Sequence, residues 1–212
     1  MPRLLRNLLA LGVLIVSSAS IAQTPQSGAP AGGQAVATFA GGCFWCMEEA
    51  YEKVAGVSSV VSGFMGGNVA NPTYKQVSGG STGHAEVVQV IFDPAKVTYQ
   101  QLVDWFWVNI DPGDASGQFC DKGSEYRSAI FFHGDEQKRI AQASKEKLQA
   151  SGRLKQPIAT EITAADTFYP AEDYHQDYYK KNSARYQYYK YGCGRAARLE
   201  QIWGKPAPPP TQ

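Results

Sequence analysis

One stretch constrains the fold of this chain more than any other: VATFAGGCFWCMEEAYEKVAGV, residues 36–57. It begins with a short apolar run typical of a β-strand, passes through two glycines, and continues as a helix-forming segment that ends at Gly56. Cys43 and Cys46 therefore lie in the first turn of the predicted helix. Because a helix N-terminus has unpaired N–H groups and a dipole that favour an anion, we expect the pKa of Cys43 to fall, giving a thiolate at neutral pH.

Periodicity in the rest of the chain predicts further strands and helices. The strands are VSSVVSGFMGG, HAEVVQVIFD, YRSAIFFH and PIATEIT, and the helices are TYQQLVDWFWVNI and DEQKRIAQASKEKLQAS. The order β-α-β-β-α-β-α-β predicts an α+β fold with helices packed on one mixed sheet, a ferredoxin-like α/β sandwich core. Two Gly-rich loops, residues 63–83 and 111–124, and a long Tyr-rich C-terminal segment are expected to be irregular, and such regions tend to carry functional groups.

Residues 1–22 have the pattern of a secretory signal peptide. Arg3 and Arg6 make the start basic, an apolar run follows, and small residues lead up to Ala22. The apolar run is shorter than the ~20 residues that span a bilayer, so we expect cleavage near Ala22 rather than a retained anchor. The mature protein is then expected to be periplasmic or secreted, with no stable membrane association.

The two ends of the mature chain have compositions that do not favour a packed core. Residues 23–34 are rich in Gly, Pro, Gln and Ala and predict a flexible linker, and residues 205–212 predict a disordered, Pro-rich tail. Residues 35–204 remain as a single folded domain. Because the formal net charge is only +1, the chain has no strong field that would attract nucleic acid, and we expect small or neutral partners. The protein is also expected to be a monomer.

The chain has four cysteines, Cys43, Cys46, Cys120 and Cys193. An even number in an exported protein favours two structural disulfides, but a domain of this size does not need them, and a C-x-x-C pair closes almost no loop. A zinc site would need further ligands, and the three histidines have no ligand spacing. A reactive thiol at Cys43 fits best, with Phe44 and Trp45 able to form an apolar wall beside its sulfur.

Five motifs, in order, resemble those of the type A peptide-methionine sulfoxide reductases. They are GGCFW, NPTY, GHAEVVQVIFDP, DKGSEYRSAIF and FYPAEDYHQDYY, and the resemblance covers about residues 36–195. It implies an α+β fold of helices around a mixed sheet. It also implies reduction of the S epimer of methionine sulfoxide, free or in oxidised proteins, without metal or organic cofactor. The implied reductant is an external dithiol, a thioredoxin-like protein that would itself have to be exported.

By the same resemblance, Cys43 is the nucleophile and Glu86 is the acid that protonates the sulfoxide oxygen. A carboxyl group that keeps its proton near pH 7 needs burial against apolar walls, so we expect Glu86 to be buried. His175 is expected to have a structural hydrogen-bonding role, and the aromatic runs DWFWV and YQYYKYG are interpreted as packing. The other matched residues are expected to contact the substrate or order the site: Tyr74 and Tyr126 at the oxygen, Phe44 and Trp45 around the methyl group, and Asp121 through water.

The attack leaves a sulfenic acid on Cys43, with which a second cysteine condenses to form a disulfide. The family's usual resolving cysteine lies in the C-terminal segment, which makes Cys193, between two glycines, the expected partner. Cys46 departs from the glycine that many family members have after GCFW, and it is an alternative that is close to Cys43 without any motion. Cys120 could relay the disulfide or pair with Cys193. The sequence RAARLEQIWG after Cys193 lacks the Gly-rich tail common in the family, so the usual bend is not assured.

Two other classes of function remain alternatives. A general thiol-disulfide oxidoreductase would share the C-x-x-C pair, but it would not need Glu86 or the tyrosines. A non-catalytic export domain held by disulfides would have no thiol that titrates near neutrality. Conversion of methionine sulfoxide by a dithiol, measured separately for each epimer, distinguishes these three functions.

Overall fold

The computed structural model describes residues 32–211. The strands in this range are β1 (Ala35–Gly41), β2 (Val57–Met65), β3 (Ala85–Phe92), β4 (Gly117–Gln118), β5 (Asp121–Lys122), β6 (Ser128–Phe132), β7 (Glu161–Ala164) and β8 (Tyr169–Pro170). The helices are α1 (Phe44–Glu52), α2 (Tyr74–Val77), α3 (Tyr99–Val108), α4 (Asp135–Ala150), α5 (Tyr178–Lys181), α6 (Ser183–Gly192) and α7 (Arg195–Trp203), with a 3-10 turn at Ser124–Tyr126. The signal peptide predicted for residues 1–22 and most of the linker predicted for residues 23–34 lie outside the described residues.

Six strands form one mixed sheet in the order β7-β6-β1-β3-β2-β8. Neighbouring strands are antiparallel except β6 and β7, which run parallel and are connected through α4. The predicted order of elements corresponds to β1-α1-β2-β3-α3-β6-α4-β7. The prediction of an α+β fold with helices on a mixed sheet is therefore confirmed. β4 and β5 form a separate two-stranded hairpin in the loop that precedes β6.

The main core lies between the sheet and the helices α1 and α3. Phe39 of β1 stacks on Tyr51 of α1 with ring centroids 4.9 Å apart, and on Phe106 of α3 at 5.4 Å. All three side chains are fully buried. Because burial of a large apolar side chain contributes ~1.5–3 kcal/mol, this stack holds α1 on the sheet and fixes the position of its first turn.

The C-terminal segment differs from the irregular structure that the sequence predicts, because α5, α6 and α7 account for most of residues 178–203. α6 buries only Tyr186. Its other tyrosines lie around the helix, so no 3.6-residue apolar pattern marks it in the sequence. Gly194 has a φ of 69°, a left-handed conformation that favours glycine, and it separates α6 from α7. Tyr178 and Tyr186 pack α5 and α6 against the start of α1.

Residues 205–211 form neither helix nor strand. The N–H of Ala55, just after α1, donates to the carbonyl oxygen of Pro210 at 3.3 Å, so this segment runs back along the domain. The disorder predicted for residues 205–212 stays a prediction. None of the helices within residues 32–211 combines the length and the apolar character that crossing a bilayer requires.

Candidate active site

The junction between β1 and α1 sets the position of the predicted nucleophile. Gly42 has a φ of 79°, and a Cβ at this position would lie 2.6 Å from Cβ of Gln118. Both facts require glycine here, because the left-handed conformation and the close approach each exclude a side chain. Cys43 follows as the N-cap residue of α1. The two glycines of the sequence motif therefore place Cys43 directly after the C-terminal end of β1, a central strand of the sheet.

A small cavity of about 60 Å³ lies beside this sulfur. It is lined by Cys43, Phe44, Trp45, Tyr74, Glu86, Asp121, Tyr126 and Tyr189. The structure thus brings together the predicted nucleophile, acid, tyrosines, aromatic wall and Asp121. The predicted resolving cysteine, Cys193, does not line this cavity, and neither do Cys46 and Cys120.

Glu86 lies at the start of β3 and is 2% exposed, as the expected burial requires. Its Oε2 accepts a hydrogen bond from the N–H of Phe44 at 3.0 Å. The pKa of Glu86 is raised to about 8, chiefly by burial and also by the negative charges of Asp121 and Glu125, whereas the bond from Phe44 opposes the rise. The carboxyl group is therefore protonated near pH 7 and can donate that proton within the pocket.

Cys43, just before α1, and Cys46, in its first turn, are buried and in contact, and their ionisation differs from the sequence prediction. Burial raises the pKa of the Cys43 thiol well above its ordinary value, and the neighbouring Cys46 and Glu86 add to this effect. The predicted fall in the pKa of Cys43 is therefore wrong. The helix-start N–H of Phe44 is used by Glu86, and the Cys43 side chain makes no capping bond to α1.

Cys46 shows the opposite behaviour. The pKa of Cys46 is lowered to about 6, and the largest cause is a hydrogen bond from the Cys43 thiol. Burial opposes this fall, whereas the positive charges of Arg195 and Lys190 and a hydrogen bond from Tyr186 add to it. The pair can therefore share one negative charge.

Tyr74 and Tyr126 both line the cavity. Burial raises the pKa of both tyrosines, so both hydroxyl groups remain available as donors. The N–H of Tyr74 donates to Glu172 Oε1 at 2.9 Å. A capping box of Thr73 and Gln76 starts the short helix α2, which positions Tyr74.

The aromatic wall of the cavity is held by further aromatic side chains. The indole of Trp45 stacks on Tyr178 with ring centroids 3.8 Å apart, and its Nε1 donates to His175 Nδ1 at 3.1 Å. His175 also packs against Phe44 at 5.2 Å between centroids, and against Tyr74 at 4.2 Å. His175 thus has a structural hydrogen bond of the kind expected from the sequence.

Tyr189 is a pocket residue that the sequence interpretation missed, because YQYYKYG was assigned to packing. Its hydroxyl donates to Asp121 Oδ2 at 2.5 Å, and its side chain lines the cavity together with Cys43. The signal in the sequence was the spacing of Tyr186 and Tyr189, which places both on one face of a helix. Burial raises the pKa of Asp121, so this bond orders an acid at the edge of the pocket.

Cys120 and Cys193 are joined by a disulfide, with Cα atoms 4.9 Å apart. It links the β4–β5 turn to the junction between α6 and α7. Cys120 is exposed, and its sulfur lies 3.6 Å from Oδ1 of Asp121. Cys43 and Cys46 are free thiols. Pairing of Cys120 with Cys193 was one of the alternatives for Cys120, whereas the resolving role of Cys193 stays a prediction.

The fold and the pocket define an oxidoreductase that acts through a cysteine thiol, because a nucleophilic sulfur and a proton donor share one small cavity. The sequence model described as peptide methionine sulfoxide reductase matches residues 35–207. The peptide methionine sulfoxide reductase MsrA of Listeria monocytogenes serotype 4a is 55% identical over 167 residues, which are 79% of this chain and 94% of that protein. The chain belongs to the peptide methionine sulfoxide reductase family, and it is an oxidoreductase that reduces methionine sulfoxide.

Solved structures show the same fold. The reduced form of Mxr1 from Saccharomyces cerevisiae aligns with a TM-score of 0.68 and 34% identity, covering 74% of this chain and 90% of that chain. Mxr1 in complex with Trx2 aligns with a TM-score of 0.51 and 24% identity, covering 72% and 90% of the two chains. The second likeness concerns the fold alone.

Proposed function

We propose that the protein reduces the S epimer of methionine sulfoxide, both free and within oxidised proteins, at the Cys43 cavity. The observation that carries this proposal is that the Cys43 sulfur and the protonated Glu86 line the same cavity of about 60 Å³. A sulfoxide sulfur is a poor electrophile until its oxygen receives a proton, so the reaction needs these two groups together.

The reductive step uses side chains of this cavity. Cys43 Sγ attacks the sulfoxide sulfur as Glu86 gives its proton to the oxygen, which Tyr74 and Tyr126 hydrogen-bond. The S–O bond then breaks, methionine leaves, and the hydroxyl group stays on Cys43 as a sulfenic acid. Phe44 and Trp45 hold the methyl group, because contact between sulfur or methyl and aromatic rings is favourable by ~0.3–1.5 kcal/mol.

We infer that the Cys43 sulfenic acid is reduced back to a thiol in two steps within the protein. Cys46 condenses with the Cys43 sulfenic acid, forming the Cys43–Cys46 disulfide and releasing water. A Cys120–Cys193 dithiol then reduces that disulfide by exchange and becomes a disulfide itself. The contact between Cys43 and Cys46 and the exposed Cys120–Cys193 disulfide support this order. Cys193 then acts one step later than the sequence-based expectation.

The final reductant in this proposal is an external thioredoxin-like dithiol, which reduces the exposed Cys120–Cys193 disulfide without any metal or organic cofactor. The relative Mxr1 forms a complex with Trx2, which supports a donor of this kind. The signal-like residues 1–22 further suggest that the protein acts after export, in the periplasm or outside the cell, where it would repair exported proteins. The donor would then be an exported protein as well.

The experiment that tests this function is conversion of each methionine sulfoxide epimer with dithiothreitol as the reductant. We expect turnover of the S epimer by the wild type and none by Cys43→Ser. The matched control is Cys120→Ser, which removes a cysteine outside the cavity and should keep a stoichiometric first turnover. Equal conversion of both epimers, or conversion by Cys43→Ser, would contradict the proposal.

A further inference from the structure

Arg195, the first residue of α7, is a buried cation. Its side chain is 5% exposed, and its guanidinium donates to the carbonyl oxygens of Gly41 at 3.3 Å and Asn109 at 2.6 Å. It also contacts Met47 Sδ at 3.1 Å and lies 4.5 Å from the ring centroid of Phe119. Within residues 32–211 no carboxylate oxygen lies within 4.0 Å of it. A cation buried in this way is costly unless an anion faces it.

Cys46 faces this cation from α1. Both residues line a cavity of about 340 Å³ on the side of α1 that carries α7, and this cavity shares no residue with the substrate cavity. Lys190 also lines it, but its ammonium group is paired with Glu49 Oε2 at 2.5 Å. Among the described residues that line this cavity, Arg195 is thus the buried cation without a carboxylate partner.

The other ionisable groups around Cys46 are Cys43 and Glu49 of α1, Glu86 of β3, and Tyr186, Tyr189 and Lys190 of α6. Burial raises the pKa of Glu86 to about 8 and raises the pKa of both tyrosines, so these groups are neutral near pH 7. The Glu49 carboxylate is held by Lys53 and Lys190. Asp121 also feels the charge of Arg195, but it does not line this cavity and it accepts a hydrogen bond from Tyr189. Among the described residues, the sulfur of Cys46 is the group that shares the cavity with Arg195 and has no cation paired to it.

We propose that Cys46 holds the negative charge of the resting thiol pair, that Arg195 is the positioning residue that keeps it there, and that the Cys46 thiolate takes the proton from Cys43 when a sulfoxide binds. This inference rests on the proposed function and adds to it the base that activates the nucleophile. The charge on Cys46 also adds to burial in keeping Glu86 protonated. One buried anion thus prepares both the nucleophile and the acid.

The step conserves protons and electrons. Cys43 Sγ–H gives its proton to Cys46 Sγ, and the electron pair left on Cys43 forms the bond to the sulfoxide sulfur as Glu86 protonates the oxygen. When methionine leaves, two electrons have passed from the Cys43 sulfur to the substrate sulfur. Cys46 is then a neutral thiol next to the Cys43 sulfenic acid, ready to condense with it.

The test is a pH titration of thiolate absorbance in the ultraviolet, without any sulfoxide, so its outcome does not depend on the proposed reaction. We expect Cys46 to titrate below its usual range in Cys43→Ser, and Cys43 to titrate above its usual range in Cys46→Ser. Arg195→Gln in the Cys43→Ser background should raise the Cys46 midpoint by at least about one pH unit, a tenfold change in the ionisation constant. Arg195→Lys should restore most of the shift.

Arg198 provides the matched control, because it lies one turn along α7 and is paired with Asp111 at 2.7 Å. Arg198→Gln should leave the Cys46 midpoint unchanged. An unchanged midpoint in folded Arg195→Gln, as expected if this cation serves Asp121 instead, would overturn the proposal. If Arg195→Gln does not fold, the Cys43→Ser titration still decides, since a Cys46 thiol that stays protonated at neutral pH in that variant would also overturn the proposal.

Discussion

The main-chain N–H of Phe44 donates to Glu86 Oε2 across 3.0 Å. Phe44 is the first residue of α1, so the amide that a helix start offers to an anion is used by the acid of the pocket and not by the Cys43 sulfur. A protonated carboxyl group can still accept this bond through its carbonyl oxygen. The bond therefore fixes the acid relative to the nucleophile, which lies one residue earlier in the chain.

Replacing the acid should slow the chemistry and leave the nucleophile in place. In Glu86→Gln the amide oxygen can keep the bond from Phe44, but no acidic proton is available. We expect the reductive step to slow by ~10²–10⁴-fold, the usual range for loss of a general acid. Single-turnover conversion of methionine sulfoxide measures this rate. Cys43 should remain open to alkylation in the variant, and turnover at the wild-type rate would show that Glu86 is not the acid.

The reductive rate should have a bell-shaped dependence on pH. The pKa of Cys46 is lowered to about 6, so its thiolate is present above that pH and is lost as the pH falls through it. The pKa of Glu86 is raised to about 8, so its proton is present below that pH and is lost as the pH rises through it. Values of kcat/KM across this range report the free enzyme. A rate that keeps rising above pH 8 would contradict the assignment of the basic limb to Glu86.

Much of the fold and of the pocket could be predicted from the sequence, because the signals are local. The strand, two glycines and helix around Cys43 are read from adjacent residues, and the motifs that carry Glu86 and Tyr126 lie on or beside predicted strands. Tyr74 and Asp121 lie in the two Gly-rich loops where functional groups were expected.

The ionisation of the pair could not be predicted, because it depends on contacts between distant parts of the chain. The amide of Phe44 meets Glu86 only when β3 lies beside β1, and Arg195 reaches the back of α1 only through the fold of α7. The three C-terminal helices were missed for a related reason. Tyr178 of α5 and Tyr186 of α6 each pack singly against the start of α1, so no helical period of buried residues is visible in this part of the sequence.

Peptide mapping should reveal the order of the two disulfides. Protein reduced fully and then given one equivalent of methionine sulfoxide is expected to form Cys43–Cys46 first and Cys120–Cys193 later. Rapid acid quenching and mass spectrometry at successive times measure both links. In Cys193→Ser the Cys43–Cys46 link should accumulate. A Cys43–Cys193 link as the first product would instead support direct resolution by Cys193, as the sequence indicates.

Loss of a tyrosine hydroxyl at the substrate oxygen should have a modest effect. Tyr126→Phe and Tyr74→Phe each remove one donor, and a hydrogen bond of this kind contributes ~0.5–1.5 kcal/mol net. We expect kcat/KM to fall by roughly 2–10-fold in each single variant. Tyr188→Phe is the matched control, because Tyr188 is 84% exposed and lies outside the cavity. An equal fall in Tyr188→Phe would indicate a general effect of the substitution.

Export should leave a defined new N-terminus. We expect processing near Ala22, because small residues precede this position and a flexible linker follows it in the sequence. N-terminal sequencing of protein recovered from the periplasm measures this directly. Protein that keeps Met1 and stays in the cytosol would contradict the proposed localisation.

The Cys120–Cys193 disulfide spans 73 residues of chain, and in the proposed order of exchange its formation and reduction would change the stability of the fold in every cycle. In the chain-entropy model, a cross-link over a loop of that length removes conformational entropy from the unfolded chain. This stabilises the folded state by about 4 kcal/mol at room temperature. In that proposed cycle, the enzyme that waits for its reductant would hold the disulfide and be harder to unfold, and reduction by the donor would lower its stability until the next turnover. In a compartment rich in proteases, a shortage of reductant would lengthen the life of the enzyme molecules that have already turned over.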